Sequence, residues 1–106
     1  MILVVGNLRG WEPRGHARPE GFHFVGFHDL TADLLAEVRP DVVLSALMGD
    51  GFDAMDLARA LAWLGFRGPY RALSPPLPDP EAVRREISGA APGLDFDLLI
   101  LGGPLH

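Results

Sequence analysis

This sequence predicts a single α/β domain on a mostly parallel sheet, and three observations predict it. Short runs rich in β-branched residues, such as Met1 to Val5 (MILVV) and Val42 to Leu44 within Asp41 to Leu47 (DVVLSAL), are apolar at successive positions, as strands buried on both faces are. Between such runs lie segments with apolar residues at helical spacing, each with a start and a stop signal. Strands alternating with helices at these intervals imply parallel neighbours joined by right-handed crossovers. At 106 residues, one domain covering 1–106 can bury a core of its own.

Taken in order, Met1 to Val5 is the first strand. Asn7 to Gly21, with three glycines and two prolines and no helical period, reads as an irregular loop. Phe22 to Phe27 (FHFVGF) is strand-like, weakened by Gly26. Asp29 is a good N-cap, and Leu30, Leu34, Leu35 and Val38 share one helical face before Pro40 ends the turn, so a helix is expected over Asp29–Val38. Asp41 to Leu47 follows as a strand. Asp53 can cap the next helix, to Leu64, where Leu57, Leu61 and Leu64 form a stripe with Ala54, Ala58 and Ala62 beside it and Gly65 stops it. Tyr70 to Leu73 is a short strand. Asp79-Pro80-Glu81 has the order of N-cap, N1 proline and first-turn acid; Val83 and Ile87 supply the apolar side of a helix to Ser88 that Gly89 closes. Phe96 to Leu101 is the last strand.

Composition removes several function classes. With no cysteine, disulfide scaffolds and thiolate metal or redox sites are excluded. A net charge of −5 without a basic cluster argues against nucleic acid, which needs Lys and Arg against its phosphates. MILVV is too short for a signal-peptide core and no later run approaches spanning length, so a cytoplasmic location without membrane contact is expected.

The stretch Phe22 to Leu61, above all RPDVVLSALMGDGFDAMDLARAL, resembles a response-regulator receiver domain, in which a strand ends on a phosphoacceptor Asp followed by an M-P-G-x-D-G-like loop and a helix. Gly51 and Asp53 match that loop, Asp50 stands for its proline and Ala54 for its last glycine. Met1 to Asn7 resembles the first strand with its acidic pair, Ser74 the hydroxyl residue ending the fourth strand, and Gly103-Pro104 the Lys-Pro after the fifth. The resemblance implies a flavodoxin-like sheet of order 2-1-3-4-5 with about three helices on one face. It also shows what is missing. Gly6 and Asn7 replace the acids that hold Mg²⁺, Ala46 replaces the nucleophile and Gly103 the lysine; only Ser74 survives. A methyl group cannot attack phosphorus, and without carboxylates a hard cation loses its ligands. The expected function is therefore that of a pseudo-receiver: protein–protein interaction independent of phosphorylation, in signalling or gene regulation, with no cofactor, no metal and no enzymatic activity.

A second reading uses the rim at the carboxyl ends of the strands, where ligands bind in open α/β sheets. Gly6, Asn7, Gly49, Asp50, Gly51, Ser74 and Gly103 would gather there, and backbone amides could cradle an anion or small ligand. The ordinary use of glycine in tight turns competes with that reading, and the G-x-G-x-x-G spacing is absent. A small enzyme is disfavoured further, since no nucleophile–base or carboxylate pair is readable. His16, His23, His28 and His106 read as isolated histidines; His23 and His28 fall on opposite faces by alternation. Asp50, Asp53 and Asp56 read as a helix cap and first-turn charges. Trp11 and Trp63 read as core or lid residues, Trp11 being the better interface candidate.

A receiver-like sheet also needs a first and a last helix on its other face. Here a loop takes the place of the first, and the chain leaves no room for the last before His106. Ile2 to Val5, Val42 to Leu44 and Leu98 to Leu101 nevertheless put apolar side chains on both faces. The expectation is a homodimer, or a protein partner, on the uncovered face, with Val4, Val5 and Trp11 as candidate contacts.

Overall fold

The structure, a computed structural model, describes residues 1–6, 21–49 and 51–101. Five strands and three helices follow one another as β1 (Ile2–Val5), β2 (Phe22–Val25), α1 (Ala32–Val38), β3 (Val42–Ala46), α2 (Ala54–Trp63), β4 (Pro69–Ser74), α3 (Pro80–Ala90) and β5 (Asp95–Ile100). The sheet order is β2-β1-β3-β4-β5 and every pair is parallel, a flavodoxin-like arrangement.

Local chemistry sets the helix starts. Asp53 accepts a hydrogen bond from the Asp56 amide at 2.9 Å while Asp56 accepts one from the Asp53 amide at 3.1 Å, a reciprocal capping box. Asp79 accepts from the Ala82 amide at 3.1 Å ahead of Pro80, as expected. Three boundaries differ from expectation by two residues or more. β2 ends at Val25, and a single 3₁₀ turn, Phe27–Asp29, follows. The first helix is capped by Thr31, whose hydroxyl accepts from the Leu34 amide at 3.1 Å, and not by Asp29; the 3₁₀ turn already uses Asp29. Gly89 lies inside α3, which runs on to Ala90 and closes with the Ala91 N–H donating to the Ile87 carbonyl at 3.2 Å.

One face of the sheet carries the core. Strand alternation puts Leu3, Val5, Val43, Tyr70, Ala72, Phe96 and Leu98 on that face, all buried in one cluster with Ala54, Leu57, Ala58 and Leu61 of α2 and Ile87 of α3. Leu35 and Val38 of α1 pack against the same cluster, so all three helices lie on one side. The opposite face carries Ile2, Val4, Leu44, Ala46, Leu73 and Leu99, with Arg71 and Asp97 toward β5. Val5 is thus a core residue under the helices. Val4 does stand on the helix-free face, yet it too has no exposed surface, so neither valine can itself supply contact area.

Trp63 corrects an expectation. It is 88% exposed, neither core nor lid. Ala54, Leu57, Ala58 and Leu61 occupy the inward stripe at i, i+3, i+4 and i+7, and a residue two beyond Leu61 is rotated about 200° away from it.

Candidate functional site

The carboxyl rim of the sheet is where this fold places ligands, and the chain builds it from the ends of β1, β3 and β4. Asn7, Trp11, Asp50 and Gly103 lie outside the described residues. The described rim residues are Gly6, Ala46, Gly49, Gly51 and Ser74.

An aromatic plug lies between Gly6 at the end of β1 and Gly49 after β3. Phe52, almost wholly buried, lies against both Gly6 and Gly49; a β-carbon at either position would stand 2.8 Å from the ring. Phe27, from the 3₁₀ turn after β2, stacks on Phe52 with centroids 4.7 Å apart and planes 6° from parallel. The glycines here make room for a side chain of the same molecule. Their amides are also engaged: Gly6 N–H donates to the Val25 carbonyl at 2.8 Å and Gly49 N–H to the Phe52 carbonyl at 2.8 Å. The N-terminus of α2 already faces the Asp53 carboxylate, which would repel an anion. The Gly6 and Gly49 amides expected to cradle an anion are thus directed elsewhere.

Among the described receiver-type positions, Ala46 and Ser74 do not share a face of the sheet. The ladder sets Ala46 beside Leu73, so alternation sends the Ala46 methyl and the Ser74 side chain to opposite faces. Ser74 is buried, and its hydroxyl donates to the Pro75 carbonyl at 2.7 Å instead of facing the rim. Beneath the rim, on the helix side, Ser45 Oγ and Tyr70 Oη are 2.6 Å apart in the core, and Ser45 also donates to the Ala46 carbonyl at 2.9 Å. Burial pushes the Tyr70 hydroxyl well above its ordinary pKa; the Ser45 contact opposes this and the charge of Asp53 adds to it. The phenol is thus held neutral and hydrogen-bonded within the core.

No family model, curated protein or solved structure matches this chain.

Two further features were not foreseen. The helix-free face is apolar over β1 and β3 and turns charged toward β5. There Arg71 donates to the Asp95 carbonyl at 2.7 Å, and its guanidinium lies 3.5 Å from the Asp95 carboxylate. At the sheet edge, Asp97 Oδ1 accepts from the Leu98 amide at 2.7 Å and from Arg84 Nε of α3 at 2.5 Å, and Arg84 also pairs with Glu81 at 2.6 Å. No sequence spacing signals either arrangement, because each joins elements by register and not by periodicity. Among the described residues no helix is long and apolar enough to cross a membrane.

Proposed function

We propose that this chain is a receiver-like domain without phosphoryl chemistry that acts by binding a protein, most simply a second copy of itself, through the helix-free face of its sheet. The observation that carries the reading is the one-sidedness of the domain. All three helices pack on one face, while Ile2, Leu44, Leu73 and Leu99 on the other remain half-buried or exposed. Apolar sheet faces of this kind pair well face to face, at a spacing of about 10 Å. The disassembled rim supports the other half of the reading, since phosphoryl transfer depends on a preassembled set of charges that Gly6, Ala46 and Ser74 do not supply.

The test is light scattering at micromolar concentration on the wild type and on Leu44→Glu and Leu73→Glu. Wild-type dimers that each glutamate converts to folded monomers support the reading. A wild type that is monomeric and captures no protein through this face ends it. Acetyl phosphate with Mg²⁺ should leave the mass of the chain unchanged, and a stable acyl phosphate would restore the receiver chemistry denied here.

A further inference from the structure

Among the described residues β5 is an edge strand, and its outward amides can be accounted for one by one. Leu101 N–H donates to the Ser74 carbonyl and Asp95 N–H to the Gly68 carbonyl, so odd-numbered amides of β5 point toward β4 and even-numbered ones point outward. Of the outward amides, Phe96 N–H turns back to the Leu94 carbonyl at 3.1 Å. Leu98 N–H is held by the Asp97 carboxylate at 2.7 Å, and Arg84 fixes that carboxylate from α3. Ile100 is the one outward position of the strand whose amide makes no hydrogen bond among the described residues, and it sits where Leu99, Ile100 and Leu101 are all exposed.

We infer that the outer edge of β5 is a strand-pairing surface for the β5 of a second copy, and that Asp97, braced by Arg84, is the lock that holds it closed. The occupant follows from the symmetry of the strand. An antiparallel twofold pairing centred on Leu98 sets Leu98 opposite Leu98 and Phe96 opposite Ile100 of the second copy. In that register, each Leu98 amide meets a Leu98 carbonyl and each Ile100 amide a Phe96 carbonyl. It places Asp97 opposite Leu99 and Asp95 opposite Leu101, so no acid faces an acid. The central pair needs the Leu98 N–H, the group Asp97 occupies. Exposed edges are commonly guarded by charged side chains, and here the guard sits on the middle bond of the symmetric register.

Asp97 and Leu99 also border the helix-free face, so the test is made in a Leu44→Glu background, where face pairing is blocked. Asp97→Ala, or Asp97→Val as a stronger strand former, is expected to double the solution mass and to slow hydrogen exchange at Leu98 and Ile100. Adding Ile100→Pro, which deletes an outward amide that the sheet itself does not use, is expected to return the monomer. A folded Asp97→Val protein whose mass and Leu98 exchange match its parent overturns the inference, as does a dimer that Ile100→Pro leaves intact.

Discussion

Gly6 and the ring of Phe52 are packed so closely that a β-carbon on residue 6 would stand 2.8 Å from Cε1 and Cζ of the ring, and Gly6 holds a φ of +81° that L side chains rarely adopt. One glycine thus meets two demands, a left-handed turn at the end of β1 and room for the plug that closes the rim.

Gly6→Ala is therefore expected to destabilise the fold by about 1–3 kcal/mol through backbone conformation alone, with the ring contact adding to it. In a Phe52→Leu background the steric part should disappear and the cost of Gly6→Ala should fall. Urea denaturation of the four proteins of that cycle measures the coupling. Equal costs in both backgrounds would show that the ring yields freely.

Ser45 and Tyr70 should behave as a unit. Ser45→Ala leaves a buried phenol without its partner and is expected to cost about 1–3 kcal/mol, whereas the double variant with Tyr70→Phe should cost less than the two singles together. Burial raises the Tyr70 pKa, so the folded state keeps its proton where the unfolded chain loses it. This contribution is whole below about pH 10 and is lost as pH rises beyond it. Tyr70 is the only tyrosine in the sequence, so tyrosinate absorbance reads it directly. Ionisation near pH 10 without unfolding would contradict the burial argument.

Asp97 acts at the acid end. The Leu98 amide, and next to it Arg84, hold its carboxyl below the ordinary range, with Arg71 contributing charge from β4. A lowered folded pKa means stability present above the unfolded value of about 3.9 and lost as pH falls through the folded one. Asp97→Asn should flatten that segment of an acid-unfolding curve. An acid limb identical to the wild type would remove Asp97 from the account.

The phase of α2 predicts opposite outcomes two residues apart. Leu61→Ala opens the core and is expected to cost about 2–5 kcal/mol. Trp63→Ala, on the exposed side, should change stability by less than about 0.5 kcal/mol. Thermal denaturation of both checks it, and a Trp63→Ala loss comparable to that of Leu61→Ala would mean that Trp63 is covered.

Most of the architecture was legible because its signals are local. ILVV and VVLSA read as two-faced strands, Asp53 and Asp79 as caps, and Val83 with Ile87 as the apolar side of a helix, each from residues within a turn or two of one another. The phase that exposes Trp63 was present in the sequence too, in the inward spacing of Leu57 and Leu61, and was obscured only by the usual fate of tryptophan. Other features were decided by contacts between distant residues. Thr31 displaced Asp29 as a cap because a 3₁₀ turn already held Asp29. The glycine rim became a seat for Phe52, which the sequence could not reveal because Gly6 and Phe52 meet only once β1 and β3 are side by side. Ala46 and Ser74 parted because β3 and β4 pair in the register that puts Ala46 beside Leu73. Likewise Arg84 meets Asp97 only when α3 folds back onto β5. A sequence by itself determines periodicity, caps and turns, which depend on backbone geometry over a few residues; strand register and ring placement minimise free energy over the whole packed sheet, and only the tertiary structure settles them.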